Sequence, residues 1–235
     1  MSGAVPEFVE RVKPSPSQKW PSRLFEALCR SFLQKYCRLV VSGALPHGDR
    51  SYLLCSNHAS HIDSIAIMIA SGVPFSSCAL LAAQDYFFRN RSGLSLLSML
   101  LTLIPLNRFG IRGFRNTLQS CRRYIASGGR IIVAFPEGTR GDGHTLRPFK
   151  RGPAILSMSL RLPVVPVWIG GTHNIMPKGC LLPRRGTVLV AFGDVLPPAD
   201  PNEPISRRIQ STVMTSEITH AVRALARGHG CNNGA

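Results

Sequence analysis

Short apolar runs alternate along the chain with longer stretches in which apolar residues recur about every 3.6 positions. The runs are strand-like because they are short and rich in Val, Ile and Leu, whereas the periodic stretches are typical of helices with one buried face. Predicted strands cover 52–55, 78–82, 103–106, 130–135, 164–169 and 187–192, and predicted helices cover 62–70, 93–101, 114–126, 153–160 and 205–226. This alternation predicts a single α/β domain in which helices cover both faces of a central sheet.

The two ends of the chain differ from the part between them. Residues 1–19 are polar, contain three prolines and are predicted to be a disordered lead. In 20–41 the apolar positions follow a helical period and arginines occupy other faces, which predicts an amphipathic helix within a segment at 20–45. Such a helix either lies in a lipid interface or packs on the domain core. We expect the domain itself at 46–228 and a disordered tail at 229–235.

The net charge is +16, and only 5 of the 28 basic residues are lysine. A chain with this charge is attracted to polyanions, which include nucleic acid, anionic lipid and phosphorylated substrates. The alternative is that the arginines reflect genome composition and the charge only aids solubility. Aromatic residues make up 7% of the chain, without a basic-aromatic platform or a zinc pattern, which argues against a nucleic-acid-binding protein.

Seven scattered cysteines without a CxxC motif predict buried thiols in a reducing compartment. We expect no secretory signal, because no basic, apolar and cleavage regions follow one another near residue 1. The uncharged stretch 64–84 is interrupted by Gly72-Val73-Pro74, and the mainly apolar stretch 94–106 has thirteen residues, fewer than the about 20 that span a bilayer. Neither stretch is predicted to be a spanning helix, and attachment to a membrane surface remains open.

The stretch CSNHASHID, residues 55–63, places two histidines and an aspartate between two apolar segments. On one continuous helix His58 and Asp63 would lie roughly 140° apart, so a turn must separate them if they are to meet. Ser60 can cap a helix whose third position is Asp63, which leaves His58 on the preceding loop and lets Asp63 point back. A carboxylate on one imidazole nitrogen would make the other nitrogen a base for a hydroxyl proton. Alternatively, Asp63 only completes the cap.

The stretch FPEGTR, residues 135–140, follows the apolar strand RIIVAF directly. Ligands of α/β sheets bind at the carboxyl ends of strands, and Pro136 and Gly138 indicate a tight turn there. Arg140 has the planar geometry that binds a phosphate through two hydrogen bonds, and Glu137 either pairs with Arg140 or holds a substrate hydroxyl. The alternative is a structural turn closed by an ion pair.

Other polar residues give weaker indications. His61 follows His58 by three positions, but neither HExxH nor clustered carboxylates support a metal, and we expect a surface residue in the first turn of the helix. Arg108 follows a predicted strand, and Lys150 and Arg151 precede a helix that Gly152 could open as a phosphate site. A solvated basic face is the alternative for both.

Together these motifs resemble those of the glycerolipid acyltransferases, in particular the 1-acylglycerol-3-phosphate acyltransferase (lysophosphatidate acyltransferase) branch. NHASHID at 57–63 matches the NHxSxxD form of the HxxxxD motif, and FPEGTR, about 70 residues later, matches the second hallmark. Arg108 stands where the family has an intermediate arginine motif, and LPVVPV at 162–167 is similar to its proline-containing strand motif. The resemblance covers about residues 25–195 and implies a mixed central sheet covered by helices, preceded by the amphipathic helix.

The resemblance implies an O-acyltransferase that moves a fatty acyl group from acyl-CoA or acyl carrier protein to the free hydroxyl of 1-acyl-glycerol 3-phosphate, giving phosphatidic acid. His58 would be the general base, and Asp63 would orient it. The residues implied to bind the glycerol phosphate are Arg108, Glu137, Gly138, Thr139 and Arg140. Besides the thioester cosubstrate it implies neither cofactor nor metal.

The implied partners are a lysophospholipid, the acyl donor and an anionic membrane surface, with no nucleic acid. The implied place is the cytoplasmic face of the cell membrane, as a peripheral or monotopic protein. Other acceptors stay open: a lyso-ornithine lipid, another lysophospholipid or glycerol 3-phosphate. Two further classes are weighed, namely a basic nucleic-acid- or membrane-binding protein without catalysis and a Ser or Cys hydrolase. A G-x-S-x-G elbow is missing, and Cys55 carries no mark of a nucleophile.

Overall fold

The computed structural model describes residues 20–46, 48–83, 100–107, 110–143, 145–177, 180, 182–200 and 204–229. The predicted lead at 1–19, most of the predicted helix at 93–101, Arg108 and all but the first residue of the predicted tail at 229–235 lie outside the described residues.

In the described part of the chain, seven strands form one sheet in the order β1-β7-β6-β2-β5-β3-β4. The strands are β1 (Cys37–Ser42), β2 (Tyr52–Ser56), β3 (Cys78–Ala83), β4 (Thr102–Leu106), β5 (Ile131–Ala134), β6 (Val164–Gly170) and β7 (Gly186–Phe192). Neighbouring strands are parallel except β6 and β7, which are antiparallel. The sheet is therefore mixed, as the resemblance implied.

Helices cover both faces of this sheet. They are α1 (Trp20–Ser31), α2 (Asp63–Ala70), α3 (Gly110–Ala126), α4 (Gly152–Leu160), α5 (Thr172–Ile175) and α6 (Arg207–Gly228). Successive strand residues enter opposite cores because side chains alternate along a strand. Leu54 packs in the core under α1 and α2, whereas Leu53 packs in the core under α3, α4 and α6. This two-sided burial explains why the central strands are largely apolar.

The predicted helix at 20–41 is wrong in its second half. α1 ends at Ser31, a π-helical turn covers Phe32–Tyr36, and Cys37–Ser42 forms β1, which pairs in parallel with β7. Leu39, Val40 and Val41 fit a helical period by position, but two of them are β-branched and favour a strand when a neighbouring strand is available. Since β1 belongs to the sheet, the domain includes residues before the predicted start at 46.

The remaining predicted elements shift by a few residues at their ends. α3 starts at Gly110 instead of 114, and α6 spans Arg207–Gly228 instead of 205–226. The side chain of Ser206 caps α6 by accepting the backbone N–H of Ile209. Among the described residues, no helix has the length and apolarity needed to cross a membrane.

The sheet brings the two polar motifs to one edge. β2 and β5 are parallel neighbours, with Cys55 paired to Ala134. Both strands therefore end at the same edge, where β2 leads to His58 and β5 leads to Phe135. Ligand sites of α/β sheets lie at such carboxyl ends.

Candidate active site

His58 and Asp63 are in direct contact. Nδ1 of His58 lies 2.8 Å from Oδ2 of Asp63, with the histidine on the loop after β2 and the aspartate at the first position of α2. Because a carboxylate accepts, this contact favours the proton on Nδ1 and leaves Nε2 as the basic nitrogen. The predicted turn that lets Asp63 point back at His58 is confirmed.

The carboxylate of Asp63 is held by the loop that it faces. Oδ2 also accepts the backbone N–H groups of Ala59, at 2.7 Å, and Ser60, at 2.8 Å. The side chain is fully buried, and within the described part of the chain its Oδ1 has no hydrogen-bond partner. Three donors converge on one oxygen, so the position of this oxygen relative to His58 is fixed.

The capping role predicted for the Ser60 hydroxyl is wrong. This hydroxyl donates to the carbonyl of Met176, at 2.8 Å, and α2 begins only at Asp63. Asp63 supplies the acidic half of the capping pattern, because its carboxylate accepts the Ser60 N–H. The segment after α5 offers the Ser60 hydroxyl an acceptor that the local sequence does not reveal.

The FPEGTR turn packs directly on His58. The rings of Phe135 and His58 stack with 4.0 Å between centroids and an interplanar angle of 14°. Oε1 of Glu137 accepts the backbone N–H of His58 at 2.9 Å, and the N–H of Gly141 donates to the carbonyl of His58 at 2.7 Å. The turn and the histidine loop thus form one unit.

Glu137 does not pair with Arg140 within the described part of the chain, and its predicted hold on a substrate hydroxyl stays a prediction. It is buried, and among the described residues its carboxylate bonds to backbone N–H groups, not to Arg140. Burial raises the pKa of Glu137, and the His58 N–H, the Arg147 N–H and the charges of the same two residues oppose the shift. The carboxylate of Glu137 therefore lies inside the protein, against the backbone of His58.

Three cations surround the outer side of the turn. Arg140 is half-buried, Nη1 of Arg147 donates to the exposed Thr139 hydroxyl at 3.0 Å, and Lys150 approaches Gly138. A Cβ on Gly138, whose φ is +76°, would lie 2.8 Å from Nζ of Lys150. Arg147 was not among the predicted site residues, although the basic run RPFKR at 147–151 indicates it. These cations form a surface that suits an anion.

His61 is exposed, as predicted, but it lies in the turn before α2 and not in the first turn of the helix. Its partial burial, then the charges of Arg140 and His58, lower the pKa of His61, and the charge of Asp63 opposes the shift. The neutral imidazole is therefore favoured beside the cations. Among the described residues, no three His, Cys, Asp or Glu side chains are grouped to hold a metal ion.

Asn57 has a structural role that the sequence analysis did not assign. Its Nδ2 donates to the carbonyl of Ile169 at 2.8 Å, and its Oδ1 accepts the N–H of the same residue at 2.9 Å. The side chain therefore continues the pairing of β2 with β6 just before the chain leaves the sheet toward His58.

The match to a protein family covers the site and most of the sheet. The family model described as Acyltransferase matches residues 38–170, more than half of the chain. The structure also resembles the crystal structure of the 1-acyl-sn-glycerophosphate (LPA) acyltransferase, PlsC, from Thermotoga maritima. The TM-score is 0.64 at 21% identity, over 95% of this chain and 88% of that one. At this identity the likeness establishes the shared fold.

Two relatives are similar in sequence over a shorter range. A chloroplastic 1-acyl-sn-glycerol-3-phosphate acyltransferase of Brassica napus is 30% identical over 57% of this chain and 37% of its own length. A 1-acyl-sn-glycerol-3-phosphate acyltransferase of Limnanthes alba is 30% identical over 67% of this chain and 53% of its own length. The chain thus spans about a third to a half of these relatives. With the family model matched across β1 to β6 and both motifs at one edge of the sheet, the chain belongs to the acyltransferase family.

Proposed function

We propose that this protein transfers a fatty acyl group from acyl-CoA or acyl carrier protein to the free hydroxyl of 1-acyl-glycerol 3-phosphate. The product is phosphatidic acid, a precursor in phospholipid biosynthesis. The main support is the His58–Asp63 pair, 2.8 Å apart, beside the cationic side of the FPEGTR turn. The names of the relatives from Brassica napus and Limnanthes alba support the same acceptor.

In the proposed reaction, Nε2 of His58 removes the proton of the acceptor hydroxyl. The resulting alkoxide attacks the thioester carbonyl, and the C–S bond of the tetrahedral intermediate then breaks. The thiolate takes the proton back from His58, so no covalent acyl-enzyme is needed. Asp63 stabilises the imidazolium between these steps, since its carboxylate stays 2.8 Å from Nδ1.

The acceptor phosphate is proposed to bind at the cationic side of the turn. Arg140 supplies a planar cation, and Arg147 and Lys150 add two exposed charges within the same motif region. Gly138 and Thr139 form the backbone between these cations, which supports their predicted part in binding. The predicted part of Arg108 remains a proposal, since this residue lies outside the described residues.

We also propose that the protein works at the cytoplasmic face of the cell membrane as a peripheral or monotopic protein. On α1, Leu24 is 50% exposed and Leu28 is 61% exposed, next to the exposed Arg23. Apolar and basic side chains on one helix suit an anionic lipid surface, and the net charge of +16 adds long-range attraction.

Flotation with anionic vesicles tests the membrane proposal. The double variant Leu24→Ser, Leu28→Ser should lose vesicle binding, whereas Ile209→Ser, Val213→Ser removes similar exposed apolar surface from α6 and should not. Equal binding of the α1 variant and the native protein would exclude α1 as the contact.

The activity is tested by transfer from labelled acyl-CoA and acyl carrier protein to a panel of lysolipids, with the native protein and His58→Ala. Phosphatidic acid formed by the native protein and lost in the variant is the expected result. Transfer to a different lysolipid would change the acceptor and keep the mechanism. A native protein that acylates none of the acceptors would refute the proposed function.

A further inference from the structure

We propose that Glu137 is a positioning residue, whose buried carboxylate holds the backbone N–H of His58 and thereby sets the imidazole for proton transfer. This inference rests on the proposed function and changes one part of it, since the resemblance implied that Glu137 binds the acceptor. The acceptor would be held by the cations on the other side of the turn.

The first support is that both carboxylate oxygens face the protein. Oε1 accepts the N–H of His58 at 2.9 Å, and Oε2 lies 3.4 Å from the backbone nitrogen of Arg147. Glu137 is only 5% exposed. A carboxylate that is buried and directed at two backbone groups is poorly placed to bind a substrate hydroxyl.

The second support is the space beside Glu137. The pocket that it borders is lined by Asn57, His58, Ala59, Gly141, Gly143, Thr145, Leu146 and Trp168. This pocket has room for about one water molecule, which is far too little for a glycerol phosphate. This pocket is therefore too small to bring an acceptor to the carboxylate of Glu137.

The third support is that the same segment holds His58 at three points. Phe135 stacks on the ring, Glu137 accepts the N–H, and the N–H of Gly141 donates to the carbonyl at 2.7 Å. The two backbone bonds fix the peptide planes on either side of His58, and the stack fixes the ring. Of the two backbone bonds, the one that Glu137 accepts is the one that a side-chain substitution can remove, because Gly141 contributes its own backbone N–H.

The expected consequence is a loss of turnover without a loss of acceptor binding. A displacement of about 1 Å in a catalytic group can lower the rate about 10²-fold. Glu137→Ala removes the carboxylate oxygen that accepts the His58 N–H. Glu137→Asp keeps the negative charge, but its side chain is shorter by one methylene and its carboxylate lies farther from that N–H. Glu137→Gln keeps an oxygen that can accept the His58 N–H. Glu217→Gln, an exposed residue on α6, is the matched control.

The experiment measures kcat and KM for the acceptor in these variants, together with amide hydrogen exchange at His58. We expect Glu137→Ala and Glu137→Asp to lower kcat about 10²-fold at unchanged KM. In both variants the His58 N–H should lose its protection from hydrogen exchange. Gln should restore most of the turnover and the protection. If Ala does not fold, Asp and Gln provide the same comparison.

A raised KM at retained kcat would overturn the inference, because it would place Glu137 on the acceptor. A native kcat in the Glu137→Asp variant would also overturn the inference. So would a loss of kcat in Glu137→Gln as large as that in Glu137→Asp. Failure of the proposed function is separate, since it appears as no transfer by the native protein. Even then, hydrogen exchange at His58 still reports whether Glu137 holds the backbone.

Discussion

Oδ2 of Asp63 lies 2.8 Å from Nδ1 of His58, although five positions separate the two residues along the chain. A short turn before α2 makes this contact, and the N–H groups of Ala59 and Ser60 hold the same oxygen. The pair is therefore formed within a single loop, and the distant FPEGTR segment holds the backbone of this loop at His58.

The pair yields the first prediction, which concerns the chemical step. His58→Ala should lower kcat by about 10²–10⁴-fold, the usual contribution of general base catalysis. Asp63→Asn should have a smaller effect, because an amide oxygen can still accept at Nδ1 but carries no charge to stabilise the imidazolium. Initial rates with labelled acyl-CoA measure both, and circular dichroism verifies the fold. Native turnover in a folded His58→Ala protein would refute the role of His58 as the general base.

The second prediction separates this mechanism from that of a thiol hydrolase. Cys55 lies three positions before His58 but is fully buried in β2, and burial raises its pKa strongly. A buried neutral thiol is a poor nucleophile, so Cys55→Ala should keep the native kcat and lose only about 1 kcal/mol of stability. Turnover of the variant and its Tm give the answer. Abolished transfer in a folded Cys55→Ala protein would support a thiol mechanism.

The local sequence was enough to predict the contact between His58 and Asp63. It was not enough to predict the contacts that hold this loop to the rest of the domain. His58 and Asp63 meet through a turn that a few residues define. The bond that the His58 N–H donates to Glu137 joins positions 79 apart, and the two bonds between Asn57 and Ile169 join positions 112 apart. Such contacts depend on which strands are neighbours and in which register, which apolar patterning does not specify.

The same reason explains the error at the N-terminal segment. The central strands β2 and β5 were predictable because both of their faces are buried and their sequences are largely apolar. β1 lies at one end of the sheet and only Cys37 of its six residues is buried, so it lacks the fully buried pattern of the central strands and its apolar positions also fit a helical period. Its pairing with β7, nearly 150 positions away, decides in favour of the strand.

The third prediction concerns the cations beside the turn. Arg147→Ala or Lys150→Ala should raise the KM for the acceptor with little change in kcat, because a hydrogen bond to a charged group contributes about 1.5–3 kcal/mol. Arg38→Ala removes an equal charge from β1, three strands away from β2, and should leave KM unchanged. Acceptor titrations at constant ionic strength test this. An equal effect in Arg38→Ala would point to general charge attraction.

The fourth prediction uses the raised pKa of Glu137. A carboxyl group whose folded-state pKa lies above its ordinary value of 4.5 adds to the free energy of unfolding below pH 4.5. This contribution is lost as the pH rises through the folded-state pKa. Glu137→Gln cannot ionise, so its Tm relative to that of the native protein should increase from acidic to neutral pH. Thermal melts across this range measure the difference. A constant or falling difference would mean that the surrounding N–H groups and cations outweigh burial.

The fifth prediction concerns Asn57, whose amide joins the end of β2 to Ile169 in β6. Asn57→Asp keeps the oxygen that accepts the Ile169 N–H but removes the group that donates to its carbonyl. The carbonyl then lacks its partner and a charge is buried, so the free energy of unfolding should fall by about 1–3 kcal/mol. Asn57→Ala loses both bonds, and its free energy of unfolding should fall by at least as much. Asn116→Asp changes an exposed position on α3 and should leave the free energy of unfolding nearly unchanged. Urea unfolding of the three variants measures this series. An Asn57→Asp protein as stable as the native one would mean that water replaces the lost donor, and the end of β2 would then depend on its backbone pairing alone.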